Sequence, residues 1–293
     1  MKIDCSGIKE PASYAEKYFS RRSFREGRLM SKLVPFSPKA SSDSITIVMP
    51  AYNEEGCIER VVTSWLGILK KIQGTLIVVD DGSRDRTGAI LDQLAAAIPQ
   101  LKVIHQPNAG HGAAVVRGYR EALQLNADYV FQTDSDDQFK PEDFWNLWNN
   151  RMHSLFLLGY RKERHDALHR LVITRFVRVL LLILFGVWVK DSNIPFRLIR
   201  RDFLASAMEV LPAHAFAPNI FLSVVAAKKG CDLFSIPIGH VERKTGTVSI
   251  VRWKLVKICF RCVSELWAFR NNLASSLGRM NEHSAAERLK KVG

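Results

Sequence analysis

Four short apolar runs that end in polar clusters, alternating with stretches of helical period, constrain this chain more than any other feature. Ser44 to Met49 (SITIVM) runs into Pro50-Ala51-Tyr52-Asn53-Glu54-Glu55, and Ile58, Val61, Val62, Trp65, Leu66 and Leu69 then recur at helical spacing. Leu76 to Val79 is an uninterrupted apolar run, as a strand buried on both faces should be, and it leads into Asp80-Asp81-Gly82-Ser83-Arg84-Asp85. Lys102-Val103-Ile104 reads as a third strand, with a loop expected at Asn108 to Gly112 and a helix over Ala113 to Leu125. Tyr129 to Gln132 makes a fourth, followed by Asp134-Ser135-Asp136-Asp137-Gln138. Such alternation implies an α/β fold with a mostly parallel sheet and right-handed crossovers. In sheets of this kind ligands bind beyond the carboxyl ends of the strands, where all four polar clusters fall, so the clusters are expected to share one site.

The acidic cluster carries the chemistry. Asp134 and Asp136, two positions apart at a strand end, can converge on one hard divalent cation, and their mutual repulsion is costly unless a cation neutralises it. Acidic residues also gather in ordinary turns and helix caps, so the pair gains meaning from its neighbours.

In order and spacing, Pro50-Ala51-Tyr52-Asn53-Glu54-Glu55, Val79-Asp80-Asp81-Gly82-Ser83-x-Asp85-x-Thr87, Asn108-x-Gly110-x-Gly112-x-Ala114 and Asp134-x-Asp136-x-Gln138 resemble family 2 glycosyltransferases of the Rossmann-like GT-A fold. Within that family the chain looks most like the polyprenyl-phosphate sugar transferases, of dolichyl-phosphate mannosyltransferase type. The resemblance implies that Pro50, Tyr52, Glu54 and Asp81 hold the nucleoside of a nucleotide-sugar donor. It implies that Asp134, Asp136 and Gln138, all oxygen donors, hold Mg²⁺ or Mn²⁺ on the donor diphosphate. The metal would neutralise charge on the leaving group, and transfer in relatives is a single inverting step.

The second half of the match is looser. Gly159-Tyr160-Arg161 resembles a strand-end Gly-x-Arg, Arg170 to Arg175 a basic segment that introduces an interfacial helix, and Arg243-Lys244-Thr245-Gly246 an Arg-x-x-Gly loop that closes over the diphosphate. These similarities imply Arg161, Arg175 and Arg243 as cations for donor or acceptor phosphates. Lys190-Asp191-Ser192-Asn193-Ile194-Pro195-Phe196-Arg197 matches a segment that usually ends Ser-Gly-Phe-Arg. Ile194-Pro195 here replaces a freely rotating residue by one with fixed φ and no N–H.

Composition bears on the acceptor. The net charge is +13, from 42 Lys and Arg against 29 Asp and Glu in 293 residues, which favours anionic partners such as a lipid phosphate, a nucleotide or a phospholipid surface. Nucleic acid is not expected, since neither zinc-finger spacing nor an RNP-like aromatic motif occurs. From Leu171 to Val189 an amphipathic helix is expected, with Arg170, Thr174, Arg175 and Arg178 within an arc of about 140°. The apolar stretch Val179 to Val189 is shorter than the roughly 20 residues a membrane span needs. Ile250 to Phe269 is similar, with Trp253, Phe260 and Trp267 beside Lys254, Lys257 and Arg261, a pattern suited to a helix in the headgroup region. Packing on the sheet or at a homodimer contact would explain the same segments.

Other signals are weaker. Gly110-x-Gly112-x-x-Val115 lacks the third small residue of a dinucleotide fingerprint and follows the third strand instead of the first. Cys259-Phe260-Arg261-Cys262 is a lone Cys-x-x-Cys in a helical pattern, and five scattered cysteines suit a reducing compartment. The histidines show no metal-ligand spacing, and His111 alone among them sits in a loop of the expected site. Met1 to Asp43 has no apolar signal region but carries Arg21, Arg22, Arg25 and Arg28 ahead of a Pro/Ser-rich linker.

The expected organisation is a basic extension over 1–43, a donor and metal-binding part over 44–150, an acceptor side over 151–249, and an amphipathic helix and polar tail over 250–293. The expected activity is metal-dependent, inverting transfer of a hexose to a polyprenyl phosphate, with Asp136, Asp191 and Arg243 bearing most directly on catalysis. It is expected in the cytoplasm, peripheral to a membrane. An ionised phosphate needs no protein base. A hydroxyl acceptor would need one, and Asp191 is the candidate. A non-catalytic nucleotide-sugar or lipid-binding module is a third reading, against which the costly carboxylate pair stands.

Overall fold

The computed structural model describes residues 43–161, 168–212, 215–231, 233–241 and 260–273. Nearly all of the N-terminal extension, and the Arg243 loop, lie outside these. The strands are β1 (Ile45–Ala51), β2 (Gly74–Asp80), β3 (Leu101–His105), β4 (Tyr129–Gln132), β5 (Phe156–Arg161), β6 (Arg197–Arg200) and β7 (Phe234–Ile238). The helices are α1 (Ile58–Leu69), α2 (Thr87–Ala97), α3 (His111–Gln124), α4 (Phe144–Trp148), α5 (Leu168–Phe185), α6 (Arg201–Val210), α7 (Pro218–Lys228) and α8 (260–273).

One sheet carries all seven strands in the order β3-β2-β1-β4-β6-β5-β7. The first four strands are mutually parallel, with the register Ile45 opposite both Gly74 and Tyr129. β6 runs antiparallel to β4 and β5, whereas β5 and β7 are parallel. The consequence is one shared rim. The carboxyl ends of β1, β2, β3, β4, β5 and β7 lie on it, together with the amino end of β6 and the turn that leads into that strand.

β1 is buried at every position, and so is β2 from Leu76 to Asp80, which is why these strands lack polar alternation. On one face α3 crosses close over β1. A Cβ at Gly118 would come 2.3 Å from Val48 Cγ1, so this helix position admits no side chain. An aromatic cluster forms around Phe131, with ring centroids 5.3 Å from Trp65, 5.1 Å from Phe144 and 4.8 Å from Phe196. Tilted and edge-on pairs of this kind each add about 0.5–1.5 kcal/mol beyond the area they bury.

Three local expectations shift. α3 starts at His111, two residues earlier than expected, so His111 and Gly112 belong to its first turn. α5 ends at Phe185 because Gly186 takes φ 64°, a left-handed stop that glycine tolerates, and Val187 and Val189 are buried beyond it. β6 and β7 were not anticipated. Pro237 interrupts the sequence pattern of β7, and the sheet accepts it because β7 is an edge strand.

At the end of β3, His105 bridges two helix-side carboxylates, with Nδ1 2.9 Å from Asp80 Oδ2 and Nε2 2.9 Å from Asp92 Oδ1. Hydrogen bonds to Asp92 and Asp80, aided by their charges, outweigh partial burial and raise the imidazole pKa above its ordinary value. A raised folded-state pKa stabilises the fold below about pH 6.5, and that contribution is lost as pH rises through the folded value. The thermal-midpoint gap between wild type and His105→Ala is therefore expected to narrow from about pH 5.5 to about pH 8.5. A gap independent of pH contradicts this.

Candidate active site

The rim is knitted together by loop-to-loop hydrogen bonds. After β1, Asn53 adopts φ 54°, its N–H donates to Ser83 Oγ (3.0 Å), and its side-chain carbonyl accepts from Arg84 N (2.8 Å). Glu54 N donates to Thr87 Oγ1 (2.8 Å) and Glu55 N to Asp85 Oδ2 (3.1 Å), while Glu55 Oε2 accepts from Arg86 N (3.1 Å). Pro50 sits inside β1 opposite Val79, Tyr52 is 39% exposed on the rim, and Glu54 is buried. Cys57, just before α1, has its buried thiol within reach of both Glu54 Oε2 (3.5 Å) and the Ser135 carbonyl (3.4 Å).

Asp81 ties the second loop to the third. Its buried carboxylate accepts from Gln106 Nε2 (2.7 Å), Ala109 N (2.9 Å) and Gly110 N (2.8 Å). The expected nucleoside-binding residue is thus also a structural tie, with most of its acceptor capacity already used.

The acidic loop after β4 is held from both sides. His111 Nε2 lies 3.0 Å from Asp134 Oδ1. Desolvation opposes charging of this ring, but the charge and hydrogen bond of Asp134, with Asp136 and Asp81 behind, prevail and raise the His111 pKa. Asp137 takes φ 60° and turns its carboxylate to Arg60 of α1, 2.8 Å from Nη2. The third acid of the cluster is therefore neutralised outside the Asp134–Asp136 pair. Gln138 Nε2 donates to the Val241 carbonyl (3.2 Å), and Val241 N donates to the Gln138 carbonyl (3.0 Å). This joins the acidic loop to the segment two residues before Arg243, which itself lies outside the described residues. Among the described residues no three His, Cys, Asp or Glu side chains come close enough together to hold a metal.

On the far side of the rim, Arg161 ends β5, in register with Ile238. Asp191 is buried in the turn between α5 and β6. Arg175 is exposed on α5, apart from the hydrogen bonds just described. A cleft of about 140 Å³ runs between α5, the 190–193 turn and α8, lined by Ile173, Phe176, Val177 and Leu180 with Asp191 and Ser192 at its polar end. Sequence reasoning passed over Arg197 as a site residue. It is fully buried beneath that turn, and the available signal was its place as the last residue of the segment that resembles Ser-Gly-Phe-Arg.

A mostly parallel mixed sheet flanked by helices, with acids and polar loops gathered on one rim, is the GT-A-like architecture of a glycosyltransferase. The family model of glycosyl transferase family 2 matches residues 46–163. An uncharacterized protein of Methanocaldococcus jannaschii is 30% identical over 220 residues, spanning 71% of this chain and 93% of that protein. The chain belongs to glycosyl transferase family 2.

It is 27% identical over 241 residues to polyprenol monophosphomannose synthase of Mycolicibacterium smegmatis (79% of this chain, 89% of that one). It is 24% identical over 241 residues to undecaprenyl-phosphate 4-deoxy-4-formamido-L-arabinose transferase of Pectobacterium carotovorum (80% and 71%). In fold it is similar to glucosyl-3-phosphoglycerate synthase from Mycobacterium tuberculosis, solved with Mn²⁺, uridine diphosphate and glucosyl-3-phosphoglycerate. There the TM-score is 0.61 at 20% identity, over 81% of this chain and 85% of that one.

Asp81→Ala is expected to lower folding stability by about 2–3 kcal/mol, because two backbone N–H groups and one amide lose their acceptor. Urea denaturation measures this. A variant as stable as wild type would show that the tie between the second and third loops is not needed.

Proposed function

We propose that this glycosyltransferase moves a hexose from a nucleotide sugar to a polyprenyl phosphate with inversion, with the help of Mg²⁺ or Mn²⁺. The observation that supports the reading is that the Asp134–Asp136 loop follows β4 while the Asp191 turn, at the polar end of an apolar cleft, leads into β6, the antiparallel neighbour of β4, so both fall on one rim. The names of the polyprenol and undecaprenyl-phosphate relatives support the acceptor class.

In this reading Pro50, Tyr52, Glu54 and Asp81 receive the nucleoside, with the half-open Tyr52 ring offering a face to the base. Asp134, Asp136 and the side-chain oxygen of Gln138 would hold the cation. The donor set fits: all are oxygens, Gln138 uses its nitrogen for Val241, and a small hard cation commonly takes one or two carboxylates and completes its shell with phosphate and water. When bound, the metal neutralises charge on the departing diphosphate. His111 orients Asp134, and Arg60 keeps Asp137 turned away. Arg161, Arg175 and Arg243 offset repulsion between donor and acceptor phosphates. The acceptor's phosphate oxygen attacks the anomeric carbon as the bond to the diphosphate breaks. No proton need move, since the phosphate is already ionised.

Membrane contact completes the proposal. Phe176, Val179, Leu182 and Ile183 form an exposed apolar stripe on α5 beside Arg175, and Phe260 and Trp267 are exposed on α8. Among the described residues no helix is long and apolar enough to cross a membrane. An apolar stripe edged by cations suits the surface of an anionic bilayer. Flotation with vesicles containing anionic lipid should carry the protein upward, and Ile183→Asp should reduce the bound share several-fold. Equal flotation of both proteins refutes this contact.

A second reading, a hydroxyl acceptor with Asp191 as general base, draws support from the burial of Asp191 beside the same cleft. The deciding experiment offers a panel of nucleotide sugars, Mn²⁺ or Mg²⁺, and a short-chain polyprenyl phosphate. Labelled lipid product from wild type, lost at least 100-fold in Asp136→Ala, is the expected outcome. Nucleoside diphosphate released only with hydroxyl acceptors, and abolished in Asp191→Asn, favours the second reading and overturns the first.

A further inference from the structure

Arg197 opens β6 and is 0% exposed. Its guanidinium is held entirely by main-chain carbonyls: Nε donates to Ile194 (3.0 Å), Nη1 to Asn219 (3.0 Å) and Nη2 to Ser192 (3.2 Å). Ser223 Oγ lies 3.0 Å from the same Ser192 carbonyl and 2.8 Å from that of Asn219, with one proton to share between them. None of these partners is a carboxylate. Burial lowers the Arg197 pKa to about 10, against the opposing influence of Tyr119, Asp191 and Asp134, which leaves the group charged at neutral pH.

Stability alone accounts poorly for this. A fully buried cation without an ion pair is costlier than an apolar side chain of similar size. Two polar atoms around it, Gln132 Nε2 and Asn219 Oδ1, are also buried without a hydrogen-bond partner in the protein. Gln132 is the register partner of Arg197 across β4 and β6, and the main chain of Asn219 accepts from it. Native interiors rarely leave such groups unpaired, and each one calls for an explanation.

We propose that Arg197 is a positioning residue that acts through charge: a fixed, buried cation beneath the Asp191 turn that favours anions bound between that turn and the Asp134 loop. The inference deepens the proposed function, because it assigns the acceptor as an anion, and in that respect it rests on that reading. It also gives the Ile194-Pro195 replacement a role. The carbonyl of Ile194 accepts from the guanidinium, and proline, which has no N–H of its own, leaves no donor to satisfy in this buried turn.

The test compares wild type with Arg197→Lys, which keeps the charge and loses the fork, and Arg197→Gln, which loses the charge. Folding is checked by thermal midpoint, and binding by calorimetry with a water-soluble short-chain prenyl phosphate and, separately, with inorganic pyrophosphate. The Lys variant is expected to bind prenyl phosphate within about three-fold of wild type, and the Gln variant about ten-fold or more weaker. Equal losses in both variants, or no loss in Gln, overturn the proposal. If wild type itself does not bind prenyl phosphate, the acceptor reading falls, and the pyrophosphate ratio between Lys and Gln decides on Arg197 by itself. If the Gln variant does not fold, the Lys variant decides: a folded protein that keeps anion binding supports the charge-based role, and one that has lost it overturns that role.

Discussion

The carboxylate of Asp81 is the contact on which the rest of the rim depends. It accepts from the backbone of Ala109 and Gly110 and from the Gln106 amide, while its own N–H reaches back to the Ala51 carbonyl of β1. One buried acid thereby fixes the ends of three parallel strands relative to each other. Because α3 begins immediately after Gly110, the same contact sets where His111 stands, and so how Asp134 is oriented. A shift in Asp81 would move the start of α3 and reach the acidic loop through the His111–Asp134 contact.

Charge is organised around the acidic loop in layers. His111 and Arg60 approach Asp134 and Asp137 from two different helices, and Asp134 and Asp136 are the pair proposed to take a cation. Beneath lies Arg197, whose positive charge is not cancelled by any bonded partner. An anion entering the rim would meet neutralising groups above and below. Glycosyl transfer from a diphosphate leaving group requires such an environment, since negative charge grows on that group as the bond breaks.

The parallel half of the fold was legible in the sequence because its strands are buried on both faces. Leu76 to Val79 can only be interior, and the turn residues after it mark the strand's end. The acids proposed for the site stood out for a different reason, since a like-charged pair at a strand end is costly without a cation. What escaped lies where tertiary contacts override local pattern. β6 is only four residues long and begins with a cation, so neither period nor propensity reveals it. β7 contains Pro237, tolerable only because of its edge position. The scaffold role of Asp81 was hidden because its donors, Ala109 and Gly110, are backbone groups that any sequence would supply. Arg60 and Asp137 are 77 positions apart, and only the fold brings them together.

The strand ends around Asp81, Asp134 and Asp136 are proposed to form one donor site. The most direct measurement is a crystal structure with Mn²⁺ and a nucleoside diphosphate, read by anomalous scattering at the manganese edge. A manganese peak is expected between Asp134 and Asp136, touching the diphosphate, with the nucleoside lying toward Tyr52 and Asp81. A nucleoside diphosphate bound elsewhere on the protein, or manganese bound away from both carboxylates, would contradict it.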